Sequence, residues 1–506
     1  MAVQDYDVVV IGSGIGGGSV ARALAPTGAR ILVLERGERL PREPQNRDPV
    51  SVFVDLRYRS PETWYDLKGR PFRPGQYYYV GGATKMYGAA MFRLRERDFG
   101  AVEHEEGLSP AWPIRYADLE PYYAEAERIF MVHGQAGVDP TEPPRSGPFP
   151  HPPVPHEPVM QWVFDGLVRQ GLHPFPMPMA VDLGLPGARC IRCNTCDAFP
   201  CQYGAKGDGE TCLIDPLLEH RNVTLQTGSR VTRLLTDDTG RRIVAAEVER
   251  GGATERIHAP LFVLSAGAIQ SANLLLRSAT PKHPQGLANS SGQVGRNFMN
   301  HNCTAFMSLL PLRTNDTQLP KTLSLNDYYF GGEASRWPLG NLQMLGKILE
   351  PMLRDAIPAV PRPVRRALAA HSVDWYVMSE DLPSPENRVL PRPDGAIELR
   401  WTRTNMKAHR RFVGLARKFI KRVGFAAVLS QPFGQETPSH QCGTVRFGSD
   451  PATSALDPLC KAWDHDNLYV VDAGFFPSSA ASNPALTVAA QGLRVGEHLR
   501  GQLGRS

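Results

Sequence analysis

Two kinds of hydrophobic pattern along the chain predict a mixed α/β protein. Residues 6–11 and 29–35 are short, continuous apolar runs rich in β-branched residues, which is typical of buried parallel strands. A stretch rich in small residues, 19–28, lies between them and suits a short helix. Residues 261–275 repeat the order of strand, small-residue turn and helix, and 467–472 form another apolar strand that ends in an acid. We therefore expect a parallel sheet with helices packed against it.

The later part of the chain has a different pattern. Residues 372–379 and 396–401 are typical of strands in a second sheet. Residues 405–423 predict an amphipathic helix whose basic side is solvated. The proline-rich stretch 136–160 predicts a rigid surface connection. Residues 348–368 mix apolar residues with arginine and proline, which favours short helices covering a site entrance, with a membrane- or partner-docking lid as the alternative.

Composition narrows the class of protein. The 506 residues are 42% hydrophobic and 21% charged, and the 47 glycines and 45 prolines predict many turns. A net charge of +5 is too balanced to indicate a nucleic-acid partner. No stretch reaches the roughly 18 apolar residues of a membrane span. An apolar strand within the first residues leaves no room for a signal peptide, so we expect a cytoplasmic protein with reduced cysteines.

Candidate chemistry begins in the first 35 residues. Gly12, Gly14 and Gly17 form G-x-G-x-x-G between two predicted strands, and Glu35 closes the second strand. The first glycine permits a tight turn, the second lets the backbone approach a pyrophosphate, and the third lets helix and strand pack closely. The acid is placed to accept from ribose hydroxyls. The unit predicts dinucleotide binding and leaves FAD and NAD open.

Three later blocks combine with this unit into a recognisable order. They are GGATKMYGAAMFRLRERDF (81–99), SAGAIQSANLL (265–275) and a C-terminal region with H-x-x-G-T at 440–444 and S-N-P-A-L-T at 482–487. In this order the blocks resemble the glucose–methanol–choline (GMC) family of flavoprotein oxidoreductases, from the start of the chain to its end. Residues 112–127, WPIRYADLEPYYAEAE, resemble the segment of members related to sugar and sterol oxidases.

The resemblance implies an α/β fold in which a Rossmann-like FAD domain is interleaved with an antiparallel-sheet substrate domain. The expected FAD-domain segments are 1–50, 75–130, 205–300 and 440–506, and the expected substrate-domain segments are 51–74, 131–204 and 301–439. It also implies cofactor contacts by Gly12, Gly14, Gly17 and Glu35 on the ADP half, Gly82 and Thr84 along flavin and pyrophosphate, Asp472 and Ala473 near the ribityl and diphosphate, and Pro484 with Asn483 beside the isoalloxazine.

The implied reaction is oxidation of an alcohol to a carbonyl, with hydride transfer to flavin N5. By the family pattern His440 is the general base, since an imidazole of near-neutral pKa suits removal of a hydroxyl proton. Asn483 orients the substrate oxygen. The other histidines, including His301, are interpreted as surface or structural residues. Residues 85–88 contain no histidine, unlike relatives that attach FAD covalently there, so non-covalent FAD is expected.

Five clustered cysteines raise a separate possibility. Cys190, Cys193, Cys196 and Cys201 follow C-x2-C-x2-C-x4-C, and Cys212 comes later. The spacing is similar to iron–sulfur or zinc ligation but is not the usual run, because Pro200 precedes the fourth cysteine. Our main interpretation is a tight loop of structural thiols with no metal. A zinc ion, an iron–sulfur cluster and disulfides are the alternatives.

The class of substrate is predicted only from the resemblance to other family members. The segment at 112–127 favours a sugar, glycoside or polyol, with a sterol or long-chain alcohol, or a non-redox lyase or decarboxylase of the same family, as alternatives. Trp375, Tyr376, Trp401 and the polar run 324–329 are candidates either to face a sugar or to lie in the core. The electron acceptor stays open between oxygen, a quinone and a redox protein, including a cytochrome partner.

Overall fold

The computed structural model describes residues 6–184, 186–437 and 440–504. In this part of the chain the strands are β1 (Val8–Ile11), β2 (Ile31–Leu34), β3 (Trp64–Asp66), β4 (Pro71–Phe72), β5 (Val102–His104), β6 (Gly107–Ser109), β7 (Val132–His133), β8 (Pro174–Pro176), β9 (Met179–Ala180), β10 (Val223–Gln226), β11 (Arg230–Thr236), β12 (Ile243–Arg250), β13 (Ala253–His258), β14 (Leu261–Leu264), β15 (Asn302–Leu309), β16 (Leu323–Leu325), β17 (Asn341–Met344), β18 (Ser372–Ser379), β19 (Arg388–Pro391), β20 (Ile397–Arg400), β21 (Ala427–Pro432) and β22 (Leu468–Val470).

The α-helices of the same described residues are α1 (Ile15–Leu24), α2 (Tyr116–Ile129), α3 (Pro158–Val168), α4 (Asp215–Leu217), α5 (Ala268–Arg277), α6 (Leu353–Ala356), α7 (Arg362–His371), α8 (Met406–Val423) and α9 (Ala485–Leu503). Within the described residues, none of them combines the length and apolar composition needed to cross a bilayer.

A five-stranded parallel sheet holds the first predicted unit. Its order is β10-β2-β1-β14-β22, so β1 lies at the centre between β2 and β14. Every residue of β1, β2 and β14 is buried, as expected for strands covered on both faces. The predicted parallel sheet is confirmed. Helix α1 begins at Ile15, four residues before the predicted start, because Gly16–Gly18 are helical and pack closely on their neighbours.

A six-stranded antiparallel sheet of order β21-β15-β18-β17-β16-β8 forms the second layer. Strand β18 has the predicted bounds, and the predicted basic helix is α8. One face of the sheet packs on α3 and α8 through a cluster that includes Trp375, Phe412 and Phe419. Gln343 and Tyr376 lie opposite one another on neighbouring strands, and the Tyr376 ring is 6.4 Å from the ring of His440. This face of the sheet therefore lies toward His440.

Other pairings join distant parts of the chain. Strands β3 and β4 form a four-stranded sheet with β19 and β20, and β8 pairs with β16. Segments 51–74 and 131–204 thus share sheets with 301–439. The domain bounds themselves stay a prediction. Residues 348–368 contain α6 and the start of α7, which confirms short helices there, and their place at a site entrance stays a prediction.

Helices α1 and α9 cross at small residues. A Cβ on Gly492 would lie 2.8 Å from Ser19 Cβ, and one on Gly496 would lie 2.5 Å from Ala23 Cβ. Only glycine permits this separation of the two helix axes. Because α1 follows the glycine-rich turn and α9 follows Asn483-Pro484, the crossing fixes the two ends of the described chain against each other.

Candidate active site

The glycine-rich turn after β1 has the geometry that its sequence predicts. Gly12 has φ +103°, and a Cβ there would lie 2.2 Å from the carbonyl oxygen of Ser265. A Cβ on Gly17 would lie 2.3 Å from the carbonyl oxygen of Gly12. These two glycines are needed by the fold itself, since any side chain would overlap backbone.

Gly14 differs from both. The nearest atom to a Cβ at Gly14 would be Gly82 Cα, 4.0 Å away, and Gly82 itself has φ +63°. Gly14 is also the N-cap of α1 and makes no side-chain capping bond. Two backbones thus face one another without side chains at a helix N-terminus, where N–H groups favour an anionic group. This cradle fits the pyrophosphate of a dinucleotide.

Glu35 is buried and hydrogen-bonded within the turn. Its Oε2 accepts from the Ser13 backbone N–H at 3.1 Å and from the Ser13 hydroxyl at 2.6 Å, and its Oε1 accepts from the Gly37 N–H at 2.9 Å. Burial raises the pKa of the Glu35 carboxyl. The residue ties β2 to the turn after β1, and its contact with a ribose stays a prediction.

The side chains of Thr84 and Asp472 likewise form hydrogen bonds with backbone groups of the protein. The Thr84 hydroxyl donates to Gly81 O at 2.7 Å and accepts from Gly209 N at 2.9 Å. Asp472 accepts from Gly474 N at 2.8 Å, and its other oxygen accepts from the Ser271 hydroxyl at 2.5 Å. Ala473 begins the 3₁₀ turn that Asp472 caps, and Pro484 is the N-cap of α9. Their cofactor contacts stay predictions.

His440 and Asn483 come together although 43 residues separate them. Asn483 Nδ2 lies 3.2 Å from His440 Nε2. Asn483 is 9% exposed, and His440 is partly buried with φ +39°, in the left-handed region. The sequence-predicted pair is thus within hydrogen-bonding distance.

His301, which the sequence analysis counts among the surface or structural histidines, lies beside His440. It is 2% exposed, and its Nδ1 lies 2.8 Å from Nδ1 of His440. Its Nε2 lies 3.0 Å from Ser479 O and 2.7 Å from Ala480 O. The only available signal was its position directly before the strand that becomes β15, because the contact spans 139 residues of sequence.

Gln343 was also missed. Its Nε2 donates to Asn483 Oδ1 at 2.9 Å and to Asn341 Oδ1 at 2.8 Å. Asn341 donates in turn to Ser324 Oγ and Asn326 Oδ1. Two residues of the candidate polar run 324–329 therefore support Asn483 through a buried amide chain. Trp375 belongs to the core, and Trp401 is buried with its indole N–H on Asp381.

The electrostatics of the site favour a neutral imidazole. Burial, followed by the neighbouring imidazole of His301 and the positive charge of Lys321, lowers the pKa of His440 well below 6.5. Burial also lowers the pKa of His301. Lys321 pairs with Asp197 of the cysteine loop at 2.5 Å. At neutral pH both imidazoles are uncharged, so His440 is able to accept a proton.

The cysteine loop surrounds a small cavity of about 20 Å³, lined by Cys190, Cys193, Cys196 and Cys201 together with Lys206. These cysteines are free thiols. A hydrogen bond from Cys196 lowers the pKa of Cys193 to about 5. Among the described residues, no group of three or more histidine, cysteine or acidic side chains is arranged to hold a metal ion.

Sequence comparisons identify the family of the chain. Family models described as GMC oxidoreductase match residues 75–303 and 381–492. Paromamine 6'-oxidase of Streptomyces fradiae is 31% identical, with 98% of this chain and 92% of that protein covered. 6'''-Hydroxyparomomycin C oxidase of Streptomyces lividus is 30% identical over the same shares.

Solved structures show the same fold. Pyridoxine 4-oxidase from Mesorbium loti has a TM-score of 0.69 at 17% identity, with 98% of this chain and 99% of that chain covered. Formate oxidase of Aspergillus oryzae RIB40 has a TM-score of 0.68 at 15% identity, with 99% of each chain covered. With the matched models and relatives, the chain belongs to the GMC oxidoreductase family, and it is an FAD-dependent oxidoreductase that acts on alcohol groups.

Proposed function

We propose that the protein oxidises a CH–OH group of a sugar, glycoside or polyol to a carbonyl, with His440 as the general base. The observation that carries the proposal is the contact between His440 Nε2 and Asn483 Nδ2 at 3.2 Å, in a site where the imidazole is neutral. Two relatives at 30% and 31% identity are named as oxidases of paromomycin-related compounds, and another is named a fructose dehydrogenase. These names support a carbohydrate-like substrate.

The chain's own groups act on the hydroxyl. The substrate hydroxyl takes the place of the Asn483 N–H at His440 Nε2, which then accepts the hydroxyl proton, and the Asn483 amide donates to the same oxygen and orients it. Loss of that proton and of the carbon-bound hydrogen as hydride leaves a carbonyl. Bound FAD supplies the acceptor for the hydride. Gln343 keeps the Asn483 amide in position during these steps.

The residues proposed to bind the cofactor surround the cradle formed by the backbones of Gly14 and Gly82. Gly14 and Gly82 would lie against the pyrophosphate, with the N-terminus of α1 directed at it, and Glu35 supports the turn from behind. The nearby Lys85 is held in buried ion pairs with Asp208 and Glu210, and the Tyr87 hydroxyl donates to Gly207 O. Both polar side chains are engaged within the protein, which supports non-covalent FAD. A metal at the cysteine loop stays the weaker alternative.

The test is an anaerobic screen of the holoenzyme. Neutral sugars, aminoglycosides, linear polyols, a sterol and a long-chain alcohol are mixed with the protein, and bleaching of the oxidised flavin absorbance is followed. We expect bleaching by the polyhydroxylated compounds. Bleaching by the sterol or long-chain alcohol alone would show that the substrate class is wrong. If dithionite bleaches the flavin but no alcohol does, the proposed reaction is wrong. The electron acceptor and the cytoplasmic location stay predictions.

A further inference from the structure

We propose that His301 is a positioning residue that fixes the tautomer of His440, so that the proton-accepting atom of the base is always Nε2. The inference rests on the proposed role of His440. In this arrangement each of the two rings carries its hydrogen on a defined nitrogen.

The tautomer follows from the partners of His301. Its Nε2 lies near two carbonyl oxygens, at 3.0 Å and 2.7 Å, and carbonyl oxygens only accept. Nε2 must therefore carry the hydrogen, and Nδ1 of the neutral ring has a lone pair. The atom 2.8 Å from that lone pair is Nδ1 of His440, which must then donate. His440 is left with an unprotonated Nε2.

The opposite side of His440 agrees with this assignment. Gln343 donates one amide hydrogen to Asn483 Oδ1 and the other to Asn341 Oδ1. Asn483 Oδ1 is thereby fixed as an acceptor, and its Nδ2 faces His440 Nε2 at 3.2 Å. An amide N–H needs a lone pair on the nitrogen that it meets. Two independent sets of contacts thus place the His440 hydrogen on Nδ1.

The carbonyls that hold His301 are themselves fixed. Ala480 has φ +51°, and its N–H donates to Glu380 Oε1 at 3.2 Å. The Ser479 hydroxyl donates to Asp381 O at 3.0 Å. Next to His301, the Asn300 N–H donates to Asp381 Oδ2 at 3.1 Å. Glu380 and Asp381 therefore tie the histidine and its carbonyl partners together.

Without an acceptor at His301 Nδ1, His440 would be free to carry its hydrogen on Nε2. A protonated Nε2 cannot accept the substrate proton.

Two amide substitutions separate the tautomer-fixing role of His301 from its packing. In His301→Asn the amide oxygen occupies the position of Nδ1 and still accepts from His440. In His301→Gln the amide nitrogen reaches the position of Nε2 and still donates to the carbonyls, but the acceptor for His440 is lost.

The experiment compares the two variants as holoenzymes, with flavin reduction and kcat measured separately from KM. We expect His301→Asn to stay within a few-fold of the parent protein. We expect His301→Gln to lose on the order of 10- to 100-fold in kcat with KM nearly unchanged. The control is His409→Gln, because His409 is also buried, contacts Thr304 of β15 and Ser379, and makes no contact with His440. This control should leave kcat unchanged.

Two further readouts test the assignment, and the second uses only the parent protein. The titratable groups acting on His440 are His301 and Lys321, and Glu380 acts on His301. Replacing His301 removes one influence that lowers the His440 pKa, so the acid limb of kcat should move to higher pH in both variants. In the parent holoenzyme labelled with ¹⁵N-histidine, His440 should show a protonated Nδ1 and a bare Nε2. A proton on Nε2, or full kcat in His301→Gln, would overturn the proposal.

Discussion

His440 is a residue whose surroundings decide its chemistry. Replacing it by alanine removes the proton acceptor and leaves the cradle of Gly14 and Gly82 intact. We expect His440→Ala to retain FAD and to lose flavin reduction by about 10²–10⁴-fold, the usual contribution of a general base. Stopped-flow reduction under anaerobic conditions measures this. Reduction at the normal rate would assign the base elsewhere, and loss of FAD would mean that the residue also supports the cofactor site.

The pH dependence follows from the lowered pKa of His440. The neutral imidazole is the active form, and burial, with the neighbouring His301 ring and the charge of Lys321, lowers its pKa well below 6.5. Lowering the pH through that value protonates the base and stops proton removal. We therefore expect flavin reduction to be independent of pH above 6.5 and to fall only at lower pH. A limb centred above 6.5 would contradict the electrostatics of the site.

Among single residues, the sequence predicts the site residues that lie in a motif. It misses those that only the tertiary structure brings to the site. His440 and Asn483 lie in H-x-x-G-T and S-N-P, so their pairing was predictable. His301 and Gln343 meet them only because β15 and β17 belong to the same sheet. No local pattern distinguishes a histidine that contacts the base from one that is buried elsewhere in the protein, as His409 is.

Among the elements, the crossing of α1 and α9 positions the site most directly. At Gly496 a Cβ would lie 2.5 Å from Ala23 Cβ and 3.1 Å from Val20 O. We expect Gly496→Leu to force the helices apart, to lower stability by about 1–3 kcal/mol, and to weaken FAD retention. The control is Gly501→Leu in the same helix, where a Cβ would meet nothing within 4 Å. The measurements are the apparent melting temperature and the flavin content of both variants as holoenzymes. Equal losses in both variants would contradict the packing argument.

Hydrophobic periodicity predicts whether a segment is a helix or a strand. It often does not predict the residue at which the element begins or ends. Strand β18 and helix α8 were predicted nearly to the residue because their burial patterns are regular. Helix α1 was placed too late because Gly16–Gly18 lower local helix propensity, and tertiary contact with neighbouring strands overrides that preference. The short strands β16 and β17 carry the amide chain and have too few residues to show a period.

For the whole molecule, the order of blocks along the chain carried more information than any one block. The blocks at the start, middle and end predicted one assembled flavin site, and the parallel sheet with its α1–α9 crossing brings them together. The way in which distant chain segments share sheets is not visible in any segment alone. It depends on pairings such as β3 with β20, whose partners lie more than 300 residues apart in sequence.

Because residues near both ends of the described chain are predicted to hold FAD, its binding should stabilise the entire fold. Denaturation should release all flavin into solution, and refolded, FAD-free protein should gain about 2.7 kcal/mol at an FAD concentration 100 times Kd. Gly14→Val separates binding from folding, because a Cβ at Gly14 would meet no protein atom closer than Gly82 Cα at 4.0 Å. Its melting temperature should match that of the parent apoprotein and should not rise with added FAD, because the valine fills the cradle meant for the pyrophosphate. Flavin that stays with denatured protein would show a covalent link, and a normal FAD response in Gly14→Val would place the pyrophosphate elsewhere.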